Sequence, residues 1–475
     1  MTAELHLYNT LTRRLEPFAS LEPGHARFYT CGPTIYDHSH IGNFRTFLFE
    51  DILRRTLRLF GYRVTQVMNL TDVDDKTIRG ANAAGVSLRD YTDRYAAAFF
   101  EDLDTLRVER AEHYPRATDH IQGMVELVRR LEGVGHTYRS EGSVYYRIAS
   151  FSSYGKLSGV RPDSNRAGAR VDADEYEKED ARDFVLWKAA KPGEPAWETA
   201  LGRGRPGWHL ECSAMSMDAL GESFDIHCGG VDNIFPHHEN EIAQSEGATG
   251  RPFARFWLHA EHLLVEGEKM AKSLGNFFTL RDLLERGHDP LAIRYLLISV
   301  PYRQKLNFTF DGLHAAEQAL ERVANTLRRL EHSPAAEGAG ALAPEQVETF
   351  RQRLRAALAD DLNTARALAE LHELLRAVNT ALDGGGISST VRADVARAMA
   401  EADAALGVVP AGTPAAGEGD AEVARLVEER AAARAARDFA RADALRGRLA
   451  ELGVVIEDTP HGTVWHRRKL QVDSR

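Results

Sequence analysis

In RFYTCGPTIYDHSHIGN, residues 27–43, a cysteine closes a strand-like run, a Gly-Pro turn follows, and HSHIGN leads into a helical pattern. A helix start presents free backbone N–H groups and the positive end of its dipole, a natural seat for phosphate. His40 and Asn43 flank that start, each able to donate to phosphate oxygens. Downstream, KMAKSLGN (269–276) sets Lys269 and Lys272 ahead of Ser273 and a Gly-Asn turn. Charge grows on a pyrophosphate leaving group in the transition state, and ammonium groups placed there are a main source of rate. Either motif alone is weak, but together they read as nucleotidyl transfer.

Cys31 is one of three cysteines, with Cys212 and Cys228, all far apart in sequence. Scattered cysteines without a disulfide framework point to metal binding, catalysis or plain packing. Cys212 in GWHLECSAM and His237 and Glu241 in FPHHENE supply ligands of matching type. His237 and Glu241 are four apart after Pro236 and share one face if the segment is helical. Two thiolates, an imidazole and a carboxylate make a tetrahedral zinc set. The other reading, small buried cysteines and an ordinary polar helix, stays open on spacing alone.

These groups need elements to hold them. Residues 27–31 read as a strand; Ile41, Phe44, Leu48 and Ile52 mark one face of a helix that Gly61 stops; YRVTQVMNL reads as a second strand. This is a βαβ unit, expected to be parallel and right-handed, without the GxGxxG of a dinucleotide site. Residues 119–204 have the mixed pattern of an insertion, after which α/β character returns; beyond Leu313 the chain becomes almost wholly helical. Residues 410–420 read as a linker, followed by one charged helix from about Ala421 to Leu452 and a hairpin turning at Pro460-His461-Gly462.

The composition, 43% hydrophobic and 27% charged, is that of a globular protein. The first residues lack a signal-peptide core and no run reaches the ~20 apolar residues of a membrane span, so a cytoplasmic chain without a membrane partner is expected. Net charge is −11, yet Val423–Lys469 carries ten Arg/Lys against seven Asp/Glu. That local excess leaves room for a basic surface, although a charge-rich helix is usually just a solvated face.

CGPTIYDHSHIGNFRTF, KMAKS, GWHLECSAM, FDIHCGG, FPHHENEIAQSE, NLTDVDDK, FVLWK and RDFARADALRGRLAELGVVIEDTPHGTVW resemble, motif by motif, the class I cysteinyl-tRNA synthetases, most densely from Leu7 to Phe310. The resemblance implies an α/β fold: a Rossmann-type parallel-sheet core in two halves (1–118 and 205–265) around a connective insertion (119–204). A KMAKS and stem-contact region (266–311), a helical bundle (312–409), the linker and an anticodon-binding module (421–475) would follow. It implies one Zn²⁺ on Cys31, Cys212, His237 and Glu241, able to expand to a fifth ligand and take the substrate thiolate. His40, Gly42, Asn43, Gly229, Gly230, Asp232, Lys269, Lys272 and Ser273 would bind ATP with Mg²⁺; His40, Asn43, Lys269 and Lys272 would act in catalysis. Thr71, Trp208 and His227 would line the cysteine pocket. L-Cysteine, ATP and tRNA(Cys) are the implied partners, and a monomer the implied state. Arg434, Arg437 and Arg441, spaced along the charged helix, and Trp465 are candidates for RNA contact.

Zinc answers a problem of discrimination. Serine differs from cysteine by one atom, and a shaped pocket separates such neighbours by about 1–3 kcal/mol, whereas accuracy near 10⁴ needs roughly 5.5 kcal/mol. Thiolate affinity for zinc can supply the difference. Two positions depart from the usual family pattern: Asn43 where histidine is commonest, and Cys228 in HCGG where HGGG is frequent. Cys228 is expected to be inert. Two rivals remain: a tRNA-independent ligase acylating a sugar amine, which should lack the C-terminal module, and a catalytically silent RNA-binding paralogue.

Overall fold

HARFYT alternates so that Ala26 and Phe28 face one side and Arg27 and Tyr29 the other, the period-2 pattern of a strand. This strand, β1 (His25–Thr30), leads through the Cys31–Ser39 loop to α1 (Ile41–Leu59), then β2 (Arg63–Met68) returns parallel to β1. In the computed structural model, which describes residues 4–160, 182–410, 420–459 and 462–467, the pattern resumes with α2 (Trp208–Leu220), β3 (Phe224–Gly230), α3 (Glu239–Thr249) and β4 (Ala254–Ala260). The four strands form a parallel sheet in the order β4-β3-β1-β2. Chain order reverses between β1 and β3, and ligands of open α/β sheets bind beyond the carboxyl ends of strands at such a switch. Cys31 extends that pairing, its N–H donating to the Cys228 carbonyl at 3.2 Å.

The two faces of the sheet are packed differently. Phe28, Ile226, Cys228, Phe256 and Leu258 pack on the α1 side with Phe44, Leu48 and Ile52. Tyr29, Val67 and Trp257 face the other side with Leu210, Cys212, Ile242 and Ala243 of α2 and α3. Cys228 and its neighbour His227 therefore point to opposite faces, and the Cys228 thiol is turned away from Cys212. Between β2 and α2 lies a five-stranded sheet, Thr137–Ser140, Ser143–Tyr146, Phe184–Ala189, Gly202–Pro206 and Trp197–Thr199 in spatial order.

Four long helices, Phe310–His332, Pro344–Ala359, Thr364–Asp383 and Ser389–Leu406, follow the α/β half. Linker residues 411–419 and the hairpin turn at Pro460-His461 lie outside the described residues; the hairpin strands Val454–Thr459 and Gly462–Arg467 pair antiparallel as expected. The single charged helix expected over 421–452 is instead two, Asp420–Ala435 and Phe439–Glu451. The break has a local cause: Arg437 takes φ 57°, and the Asp438 side chain accepts from the Arg441 N–H at 3.1 Å, capping a new helix.

Candidate active site and metal centre

Two sets of side chains meet at the β1/β3 switch. The deeper one gathers donor atoms of Cys31, Cys212, His237 and Glu241, all within 4.8 Å of one another. Zinc bonds of about 2.0–2.3 Å would place tetrahedral donors roughly 3.3–3.8 Å apart, so a small adjustment suffices for an ion. Cys31 directly follows β1; Cys212 lies one turn into α2; His237 and Glu241 sit four apart around the start of α3, where His237 Nε2 is 3.0 Å from Glu241 Oε1. The two sit close enough to share one face, although Pro236 lies inside a short turn (Ile234–His238) ahead of α3 and does not open α3 itself.

The neighbours of this group set its electrostatics. The other oxygen of Glu241 lies 2.9 Å from His227 Nε2. His237 Nδ1 is 2.9 Å from His209 Nδ1, and its ring stacks on Trp208 with centroids 4.3 Å apart. Burial pushes the Cys31 thiol well up, reinforced by its hydrogen bond with Cys212. For Cys212 that hydrogen bond pulls downward, but burial and Glu241 outweigh it and leave the thiol raised. Burial drives His237 far down, with His209 and His227 adding to the effect, and burial raises Glu241 against the pull of His227. The imidazole is therefore neutral and ready to ligate, while the thiols are protonated and would surrender protons to a dication. A second grouping, Cys31, His227, His238 and Glu241, overlaps the first.

The sequence reading missed His238 and its support. His238 Nε2 is 3.3 Å from Cys31 Sγ, its Nδ1 is 2.8 Å from His259 Nε2, and His259 Nδ1 is 2.8 Å from Thr10 Oγ1. The doubled histidine of FPHHENE was the available signal. Gly229 fits this packing, since a Cβ there would stand 2.9 Å from His238 Cε1.

The second set surrounds the start of α1. His40 is the N-cap: its Nδ1 accepts from the Asn43 N–H, and Asn43 Oδ1 accepts from the His40 N–H, both at 3.1 Å. This box uses one atom of each side chain and leaves the His40 Nε2–H and the Asn43 amide as donors. Burial lowers the His40 pKa, keeping the ring neutral, against a smaller opposing pull from Asp232. Gly42 lies in the first turn of α1, and Gly230 ends β3 two residues before Asp232.

The KMAKS segment reaches the same place. Lys269 ends a short strand (Glu268–Lys269) paired with Leu263–Val265, and Lys272 and Ser273 lie in the exposed turn Lys272–Leu274. Lys272 Nζ is 3.2 Å from Asp37 Oδ2. The segment's end docks on the helix start, where the Ile41 N–H donates to the Phe278 carbonyl at 3.0 Å.

The residues expected in the amino-acid pocket diverge. Trp208, at the first position of α2, is 45% exposed over His237. Thr71 is buried, bridged to Thr34 and accepting from Asn69 Nδ2 at 3.1 Å. His227 is fully buried behind Glu241, stacked on Trp257. Gly32 lets the signature loop approach Asn69 closely: a Cβ would lie 1.8 Å from the Asn69 carbonyl oxygen. In the C-terminal module Arg434 lies in the last turn of the first helix, Arg437 in the break and Arg441 in the second helix, so the three do not run along one helix. Trp465 is on the second hairpin strand, paired with Ile456. Phe439, overlooked in the sequence, is 64% exposed at the start of the second helix, and its signal was an aromatic amid charges directly after a capping aspartate.

Comparison with known proteins follows this geometry. Residues 17–318 match the family described as tRNA synthetases class I (C) catalytic domain, 353–409 the DALR domain, and 416–465 the cysteinyl-tRNA ligase anticodon binding domain. The cysteine–tRNA ligase of Solibacter usitatus is 53% identical over 98% of this chain and 100% of its own, and that of Koribacter versatilis 49% identical over the same shares. Among solved structures, Mycobacterium tuberculosis methionyl-tRNA synthetase in complex with methionyl-adenylate aligns with TM-score 0.55 and 17% identity, over 81% of this chain and 88% of that one, a likeness of fold. The sugar-amine ligase finds no support in these matches. Among the described residues no helix is long and apolar enough to cross a membrane. The chain belongs to the cysteine–tRNA ligase family of class I tRNA synthetases.

Proposed function

We propose that the chain activates L-cysteine with ATP and passes the cysteinyl group to the 3′-terminal ribose of tRNA(Cys). The observation that carries this is the meeting, at one switch point, of a Cys31–Cys212–His237–Glu241 donor group with the His40/Asn43 helix start. The first group suits a thiol and the second a triphosphate. Of the two overlapping metal groupings, the one with two cysteines suits zinc better, because it offers two soft thiolates that offset the ion's charge. Zinc held there would supply a soft Lewis acid that favours a thiolate over a hydroxyl.

The protein's own groups then divide the work. The Trp208 indole forms an apolar wall over the donor group and excludes water. Neutral His40 donates from Nε2 and Asn43 from its amide to phosphate oxygens, assisted by the free N–H groups of α1. Gly42, Gly229 and Gly230, which leave room for His40, His238 and Asp232 respectively, line the nucleotide side of the site, and Asp232 closes it. The cysteine carboxylate attacks the α-phosphorus of Mg²⁺-bound ATP and pyrophosphate leaves. Lys272 releases Asp37 and, with Lys269 and Ser273, takes up the charge of the leaving group. The terminal ribose hydroxyl then attacks the adenylate carbonyl and AMP departs. Thr71 and His227 act from behind the pocket, by holding the signature loop and Glu241. Arg434, Arg437, Arg441, Trp465 and the exposed Phe439 ring form the RNA-facing part of a monomeric cytoplasmic enzyme, with the domain limits given by the sequence.

Cysteine-dependent ATP–pyrophosphate exchange, run beside charging of unfractionated tRNA with labelled cysteine or serine, tests this reading. Both activities with cysteine and neither with serine are expected. Exchange without charging, or exchange with serine at a comparable rate, would overturn it.

A further inference from the structure

Tyr29 lies in β1 and Cys31 directly after it, and both pack on the α2 side of the sheet. The Tyr29 ring is fully buried and held edge-on to His227, with centroids 5.2 Å apart. His227 is itself fixed, stacked on Trp257 at 4.6 Å and 2.9 Å from Glu241 through Nε2. Among the described residues no aligned hydrogen bond reaches the Tyr29 hydroxyl. The groups around it are Cys212, Cys31 and Glu241, and Tyr29 and Cys212 pack in one buried cluster.

A buried hydroxyl without an aligned partner is uncommon and calls for an explanation. Sulfur gives one. A neutral thiol is a weak acceptor, whereas a thiolate accepts a charge-assisted hydrogen bond. The phenol therefore stands beside an atom that becomes a good acceptor only on losing its proton, which is what metal ligation demands of Cys212.

We infer that Tyr29 is a positioning residue of the metal centre, its hydroxyl donating to the Cys212 sulfur in the metal-bound state and so strengthening metal binding and thiol selectivity. The inference rests on the reading of Cys212 as a ligand. Donation draws charge from the thiolate, which leaves the bound ion a stronger acceptor for a second, substrate thiol. It would also fix the Cys212 rotamer, as supporting groups around metal sites commonly do.

The test uses the full chain and Tyr29→Phe, which removes one oxygen and keeps the ring. Zinc affinity is read by chelator competition, and the sulfur-to-metal charge-transfer band by cobalt substitution. Tyr29→Phe should bind zinc about 10-fold more weakly, move the cobalt band to lower energy, and raise KM for cysteine more than it lowers kcat. The Tm of the metal-free protein should not fall, because the hydroxyl lacks an aligned partner in that state. Zinc affinity within about twofold of the parent and an unmoved band would overturn the inference, as would a lowered metal-free Tm that accounts for the whole change in affinity. Cys212→Ser separates the two levels of the argument. If it keeps the parent band, Cys212 is not a ligand and the ligand assignment falls together with the inference. If it loses the band while Tyr29→Phe leaves it unmoved, only the role of Tyr29 falls.

Discussion

Cys212, His227, His237, His238 and Glu241 are each at most 1% exposed, and each is held by at least one further buried group. Lys272 has a side chain 66% exposed, and its polar contact is one ion pair with Asp37. Both regions serve the strand ends of one sheet, yet one is built as core and the other as surface. The contrast follows the tasks proposed for them. Telling sulfur from oxygen requires donors that do not move and exclude water, whereas following a triphosphate through reaction requires cations that can leave one partner for another. An exposed pair such as Lys272–Asp37 is worth about 0–1 kcal/mol, so its loss is no obstacle.

Removing a buried donor should therefore be the most damaging change. Cys212→Ser is expected to abolish stoichiometric zinc and to lower cysteine-dependent pyrophosphate exchange on the order of 10³-fold, about 4 kcal/mol. ATP binding, read by fluorescence with a nucleotide analogue, should stay near the parent value. If exchange survived in zinc-free protein, the contrast between the two regions would have no chemical meaning.

Lys272→Ala tests the surface half. Loss of one charge-stabilising donor typically costs 10²–10³-fold in kcat, or about 2.7–4 kcal/mol, and zinc content should not change. Asp37→Asn frees the lysine without removing it, so it should leave kcat within about threefold. An Asp37→Asn defect as large as that of Lys272→Ala would mean that the pair is part of the reactive arrangement rather than a resting contact.

What the sequence made legible follows the same division. Cys31, Cys212, His237 and Glu241 could be grouped by ligand type although spacing alone left plain packing open, and the structure brings their donor atoms within 4.8 Å; KMAKS gained its reading only beside HSHIGN. The supporting groups were not. Tyr29 and His259 are ordinary strand residues until the order β4-β3-β1-β2 brings them to the cluster, and that order depends on pairing β3 with β1 across nearly 200 residues. The βαβ unit was local and therefore legible. The break at Arg437 was local too, but the alanine- and arginine-rich helical pattern runs through it, and only the Asp438 cap marks it. The opposite placement of His227 and Cys228 needed no more than strand alternation once their strand was located.

Acid sensitivity should belong to the buried region. Burial lowers the His259 pKa from an ordinary 6.5 to about 3, and His237 and His238 are lowered as well. The unfolded chain therefore binds protons that the folded cluster refuses. Stability of the metal-free protein should be full above about pH 6.5 and fall steadily as pH drops toward 3, the direction required when unfolded histidines are the more protonated. His259→Gln should flatten that decline when urea midpoints are followed between pH 7 and 4. An unchanged slope would place the acid response outside His259.

The smallest effects are expected furthest from both regions. Phe439 and Arg441 lie on the second helix of the C-terminal module, with Arg437 in the break before it. A stacked aromatic is worth roughly 1–3 kcal/mol per base, and a single surface arginine less. Phe439→Ala should lower kcat/KM for tRNA about 5- to 10-fold, and Arg437→Ala or Arg441→Ala about threefold each, with the arginine effects shrinking as salt is raised. None should alter pyrophosphate exchange, which needs cysteine and ATP alone. That invariance gives the experiment its force: a variant that slowed exchange as well as charging would show this module acting on the catalytic half instead of holding RNA.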